Sequence, residues 1–422
     1  MERLLHYVWK YKLYSAASLV TTDGCPVQVI DPGIQNGDAG PDFFNAKVKI
    51  NGTLWAGSVE IHDKASDWLL HHHHTDKAYD GVILHIVGTD DFRPVRTNGE
   101  EIPQLVLSVP EQVSRNIDWL LYREVPLPCL RFISRIDPLH VNHWLEALLS
   151  ERLERKTHDI DTLLERYQTD WNEVFYITLT RNFGFGVNND AFERLAKSLP
   201  LRCIRKQQSS HSQVEAMLFG QAGMLEENHD DRYYRLLQRE YDFLRHKFGL
   251  SPLEDFVFKS LRTRPVNFPY VKIAQLASLL IQHDTLFSVL LEARSTGEIK
   301  NYFRISPSVY WKTHYHFRYA VPPKEKVLGD NALNILLINT VVPMFFAYGL
   351  YNKRPEYCER AVRLLESIPP EKNTIVSTFN HAGIAVHHAG DSQALIQLKR
   401  EYCEKKKCLY CRIGFRMLKQ QL

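Results

Sequence analysis

The 422-residue chain has no apolar run approaching the roughly 18 residues that cross a bilayer. Its start, MERLLHYVWKYK, lacks the apolar stretch and small-residue cleavage site of a signal peptide. No membrane partner is therefore expected, and a cytoplasmic location is. There is little charge of either sign to spare. Lys and Arg total 52 against 49 Asp and Glu, a net charge of +3. That balance excludes a chain that is basic throughout, so any nucleic-acid surface has to be a local cluster. Seven cysteines is an odd number, and Cys25, Cys129, Cys203 and Cys358 are widely scattered, which argues against a disulfide framework. Walker, G-x-S-x-G and helical H-E-x-x-H sequences are missing. NFGFG (182–186) is too short for a dinucleotide loop and has no strand before it.

What is present is a globular balance, 44% hydrophobic and 24% charged, in a chain long enough for two or three domains. Residues 1–20 read as a helix with an apolar face of Leu4, Leu5, Tyr7, Val8 and Trp9. After Gly, Asp, Asn and Pro turn signals at 23–42, Phe44, Ala46, Val48 and Ile50 alternate with polar residues. Asn51-Gly52 follows, then Trp55, Gly57, Val59 and Ile61, which predicts a hairpin. GVILHIVGT (81–89) reads as a buried strand and IPQLVLS (102–108) as another. From about 110 onward, apolar spacing is helical in segments such as 140–167, 231–248 and 331–350, with few strands. Arg262 and Arg264 in RTRPVNFP offer guanidinium forks suited to phosphate or to helix ends.

The hairpin carries a carboxylate pair. Asp42 lies nine residues before Asn51 and Glu60 lies eight after Gly52. Paired strands rise together, so both acids return to one end of the hairpin on adjacent strands. Alternation then puts Glu60 and His62 on one face. Two close carboxylates repel unless a cation lies between them, and Mg²⁺ or Mn²⁺ suits an oxygen-rich site. GPDF…VEIH resembles the PD-(D/E)xK nuclease superfamily over about residues 1–110. The resemblance implies that Asp42 and Glu60 hold a catalytic metal and that His62 acts on the water or the phosphate. His62 stands where that superfamily usually has Lys, and free His is mostly neutral above about 6.5.

Six histidines fall between 62 and 85: His62, His71, His72, His73, His74 and His85. A Zn²⁺ or Mn²⁺ hydrolase built on them is a rival reading, with a solvated loop as the alternative for His71–His74. Only one or two of those four are expected to face inward. His85, in an apolar strand, is expected as a hydrogen-bonded core residue. Asp38, His74, Asp76 and His85 are the accessory candidates. Near the C-terminus, Cys403, Cys408 and Cys411 form a C-x4-C-x2-C array in EYCEKKKCLYCRIG, which suggests Zn²⁺ or an iron–sulfur cluster. A fourth ligand is needed, with Cys129 and Cys25 as candidates and His387 or His388 behind them. The array is similar to that of PD-(D/E)xK nucleases whose cluster takes one Cys upstream of the catalytic motifs and three near the C-terminus.

Over nearly its full length the sequence resembles a bacterial domain-of-unknown-function family, through GPDFFNAKVKINGTLWAGSVEIHDKASDW, YDGVILHIV, LFGQAGML, RPVNFP and YCEKKKCLYC. The expected fold is α+β. A PD-(D/E)xK-like domain at 1–110, with a small mixed sheet and flanking helices, precedes a large, mostly α-helical part at 111–400 and a Cys-rich segment at 401–422. The expected function is metal-dependent cleavage of DNA or RNA phosphodiesters. The alternatives are an inactive nucleic-acid-binding or scaffold protein of the same fold, or a zinc hydrolase using the histidines.

Overall fold

The computed structural model describes residues 2–14, 19–121, 127–253, 258–260, 264–283 and 285–419. Of the segments singled out above, residues 15–18 of the N-terminal stretch and Arg262 lie outside them. The fold is α+β, a six-stranded mixed sheet with helices followed by a mostly helical region. The chain forms two compact units. One holds residues 1–144, 381–384 and 398–422; the other holds 145–380 and 385–397.

In the first unit, helix α1 (Glu2–Lys10) precedes strands β1 (Val27–Asp31), β2 (Ile34–Gln35), β3 (Phe43–Ile50) and β4 (Thr53–Lys64). A short helix α2 (Asp67–Leu70) then leads to β5 (Val82–Thr89) and β6 (Gln104–Val106). The sheet order is β1-β3-β4-β5-β6, with β2 also on β3. β1, β3 and β4 run antiparallel, and β5 and β6 continue the sheet in parallel. The β3–β4 turn is Asn51-Gly52, both with positive φ (47° and 84°), the conformation that two-residue hairpins favour. A Cβ at Gly57 would meet the Gly81 carbonyl at 2.8 Å, so β4 and the chain entering β5 can approach only at a glycine.

The alternation is broken once. Phe43, rather than Phe44, enters the core, and Phe44 is exposed. A register shift between Phe43 and Ala46, with Asn45 at φ 54°, inserts a bulge that turns the head of β3 over. Leu5, Val8 and Trp9 of α1 pack on Phe43, Val48, Val59, Ile61, Leu84 and Ile86. The C-terminal helix Arg412–Lys419 adds Met417 and Leu418 to this core, and Asn116 Nδ2 donates to the Met417 carbonyl at 3.1 Å. On β4, Val59 and Ile61 thus face the helices. Glu60 and His62 alternate to the opposite face and are also buried.

The second unit is built of helices such as Trp171–Asn182, His211–Gln221, Arg232–Phe248 and Pro269–Gln282 around one apolar cluster. Its run Asp330–Tyr351 is long and apolar enough to cross a membrane by length and composition, although the sequence reading expected no such segment. Asn334, Asn339 and Thr340 interrupt its apolar spacing, and 67% of its most apolar window is buried in the structure, as in a core helix.

Candidate metal centre

β3 and β4 are registered with Phe43 opposite Val59, which brings Asp42 beside Glu60. The two acids brace each other through the backbone. Asp42 N–H donates to Glu60 Oε2 at 3.0 Å, and Ile61 N–H donates to Asp42 Oδ2 at 2.9 Å. Asp42 Oδ2 also pairs with His6 Nε2 at 3.2 Å, a contact no sequence signal indicated. Burial, and secondarily the Asp42 charge, push the Glu60 carboxyl up to about 9. Burial pulls the His6 imidazolium down, but Asp42 more than offsets it, and the net shift is upward.

The histidine run covers this end of the sheet. α2 ends at His71, and His72 takes a left-handed conformation (φ 61°), tolerated by His more readily than by bulkier residues. The reversal lets His71 and His73 face the site while His72 stays exposed. A 3-10 turn, His73–Thr75, carries the chain away, and Asp76 caps the next turn by accepting from Ala78 N–H at 2.9 Å. Trp68 is fully buried beneath the cluster, donates Nε1–H to the Val95 carbonyl at 3.0 Å, and meets His62, His73 and His85 edge-on.

His62, His71 and His73 form a trio whose ligand atoms all lie within 4.8 Å of one another. His71 Nδ1 is 3.1 Å from His62 Nε2. Glu60 Oε1 faces His62 Nε2 at 3.4 Å and His73 Nε2 at 3.3 Å. Donor atoms about 2.0–2.1 Å from a tetrahedral Zn²⁺ stand about 3.3 Å apart, the spacing seen here. His73 Nε2 is buried and makes no hydrogen bond. An unsatisfied nitrogen in such a place fits a metal ligand.

A chain of hydrogen bonds aims His62. Gln104 Nε2 donates to Asp90 Oδ1 (2.7 Å) and to the Phe92 carbonyl (3.2 Å), both acceptors, so Gln104 Oε1 must accept. It accepts from His85 Nδ1 at 2.9 Å, and His85 Nε2 meets His62 Nδ1 at 2.9 Å. Burial lowers His85 to about 4, and burial with the neighbouring imidazoles lowers His62 to about 2, so both are neutral. His85 Nε2 then carries the lone pair, His62 Nδ1 the proton, and His62 Nε2 a lone pair directed at the trio. This is the outer-shell arrangement that orients metal-binding imidazoles.

A family model described as a protein of unknown function (DUF2851) matches residues 2–374. The chain belongs to that family. No curated protein and no solved structure matches it.

Asp42, Glu60, His62 and His85 are thus gathered at one place. Of these, only His62 belongs to the metal-compatible trio. The other accessory candidates fall elsewhere. Asp38 is in an exposed turn organised by Asn36, His74 is half-buried beside His72 and outside the trio, and Asp76 is a cap. His6, His71, His73 and Gln104 complete the site. Only the His71–His74 run gave any hint of them, because a left-handed residue between two histidines leaves no periodicity to read.

Four of the cysteines also meet. Cys129, Cys403, Cys408 and Cys411 line one cavity of about 20 Å³. Cys25 packs in the sheet's core and is not among its lining residues. His387 and His388 donate backbone N–H groups to Asp391.

Proposed function

We propose that the protein is a metal-dependent hydrolase of nucleic-acid phosphodiesters, with His62, His71 and His73 as the metal ligands. The convergence of the three imidazoles, with His62 and His73 facing Glu60 and the buried His73 nitrogen left unsatisfied, carries the reading. An imidazole-rich set favours Zn²⁺ or Mn²⁺ over Mg²⁺. When bound, the ion supplies Lewis acidity and a bound water of lowered pKa. A cation beside it would favour the ionised form of Glu60, whose Oε1 would then be placed to accept a proton from water, while the Asp42 N–H holds its Oε2. In this reading His62 replaces the phosphate-facing Lys of PD-(D/E)xK nucleases with a ligand. The order of helix, hairpin, short helix and parallel strand supports that kinship.

A cationic cleft supports the substrate class. A cavity of about 820 Å³ is lined by Arg3, His6, Lys10 and Lys405–Lys407 together with Tyr7, Tyr11 and Tyr410. Cations hold phosphates and aromatic rings stack bases. His6, paired with Asp42, links this cleft to the metal centre. The histidine ladder is already complete through His71, which favours a second reading, a binding or scaffold protein without turnover.

The test is incubation of the full chain with plasmid, single-stranded DNA and RNA in Zn²⁺, Mn²⁺ or Mg²⁺. Cleavage in Zn²⁺ or Mn²⁺ that is lost in His73→Ala and Glu60→Gln is expected. Salt-dependent binding without cleavage selects the scaffold reading. Cleavage undiminished in both variants sinks the proposal.

A further inference from the structure

The four convergent thiols come from segments that are remote in sequence. Cys129 immediately precedes helix α4 (Leu130–Ile133). Cys403 ends the helical run from Ala389, Cys408 begins a 3-10 turn, and Cys411 caps the helix Arg412–Lys419. Closing a loop from 129 to 403 costs several kcal/mol of chain entropy, which a shared ligand offsets.

The geometry is that of a ligand cage. The backbone between the last two cysteines is folded tightly, since a Cβ on Gly414 would collide with the Cys408 carbonyl. All four sulfurs are unbridged thiols, so no disulfide explains their meeting. Apart from the Tyr402 ring the remaining wall is aliphatic or glycine, with no charged side chain to pair with a thiolate. Burial raises each of the four thiols, and Cys129, Cys403 and Cys408 each feel at least one of the others. Isolated buried cysteines serve as small apolar residues, but four of the chain's seven sharing one cavity exceeds what packing requires.

Their spacing selects the ligand. Four thiolates on one Zn²⁺, with bonds of about 2.3 Å, stand about 3.8 Å apart. Among the described residues no three of these sulfurs lie within 4.8 Å of one another, as three ligands of one Zn²⁺ would. The thiolates of a polynuclear centre stand farther apart than those on one ion, and an apolar wall is a usual setting for it.

We propose that Cys129, Cys403, Cys408 and Cys411 ligate an iron–sulfur cluster. On assembly four S–H bonds break, four Fe–S bonds form, and four protons go to solvent. Two ferrous and two ferric ions with four sulfides are the co-reactants, so the cluster forms without net oxidation or reduction. Cys25 is not a ligand, so the arrangement differs from one with its single cysteine upstream of the acids. The cluster would fix the segment carrying Lys405–Lys407 against the end of α3 (Glu111–Leu121), where Leu120 lines the same cavity. The inference does not depend on the hydrolase reading.

The full chain is purified without oxygen, reconstituted with equal ferrous and ferric iron and sulfide, and assayed for iron, zinc, acid-labile sulfide and visible charge-transfer absorption. Iron and labile sulfide in equal amounts are expected. At least a tenfold loss of both is expected in Cys408→Ser and Cys129→Ser, with full retention in Cys25→Ser and in the double variant His62→Ala, His73→Ala. Zinc without sulfide, neither metal nor sulfide, or a cluster undiminished in Cys408→Ser overturns the proposal. The wild-type assay stands even where a serine variant fails to fold.

Discussion

Each unit buries a glutamate, and the two are treated in opposite ways. Glu215, in the helical unit, is fully buried and surrounded by donors. Tyr233 Oη (2.8 Å) and Trp311 Nε1 (3.1 Å) donate to its Oε2, and His211 Nε2 lies 3.1 Å from its Oε1. Glu60, on the sheet, receives one backbone N–H, and its other oxygen faces two imidazole nitrogens, one bearing a lone pair and the other unsatisfied. A satisfied buried carboxylate is part of the scaffold. One left facing nitrogens marks a place prepared for a cation or for chemistry.

The sharpest way to break this comparison is to remove each acid. Glu215→Ala leaves the buried Trp311 Nε1 unpaired and Tyr233 Oη with Ser308 alone, and is expected to cost about 3–5 kcal/mol in stability without changing Zn²⁺ affinity. Glu60→Gln keeps the bond from Asp42 and is expected to cost under about 1 kcal/mol in the metal-free protein. Urea denaturation with calorimetric Zn²⁺ titration measures both, and equal losses would erase the distinction. A smaller effect separates a ligand from the group that aims it. His62→Ala is expected to weaken Zn²⁺ by more than about 100-fold, and Gln104→Leu by about 10–100-fold through loss of the His85–His62 orientation. Gln104→Leu without effect would refute the relay.

A gradual effect, spread over pH, concerns a buried cation of the helical unit. Burial, reinforced by Arg152, lowers Lys156 to about 7, and its Nζ donates to Asn339 Oδ1 at 3.0 Å. Between that value and the ordinary lysine value of 10.5 the unfolded chain binds the extra proton. Stability therefore rises with pH across this window, by at most about 1.4 kcal/mol per pH unit, and the contribution is flat below it. Lys156→Met is expected to flatten that slope in unfolding midpoints measured from pH 7 to about 10. An unchanged slope would show that another group titrates there.

Much of the sheet was legible. Asn51-Gly52 between alternating residues announced the hairpin, and counting outward from it placed Asp42 beside Glu60. GVILHIVGT read as a buried strand because both its faces are covered. The head of β3 was misjudged at Phe44, since a bulge breaks a period of two without a sequence mark. His85 was expected as a bonded core residue, and its bonds to Gln104 and His62 are that, although the chain they form could not be read. His6 lay hidden in an amphipathic helix, where a histidine next to apolar residues looks like any boundary position.

By itself the sequence determined the local elements and the residue types available: a hairpin with two acids, a clustered histidine run, and an array of three cysteines. Those follow from backbone propensity and side-chain period, which act over a few residues. Only the tertiary structure decided which of them meet. It buried His73 and set the exposed His71 against His62 about a left-handed His72, placed His6 from α1 against Asp42, and brought Cys129 to cysteines some 280 positions later. Such meetings depend on packing between distant segments, and no short window of sequence encodes them.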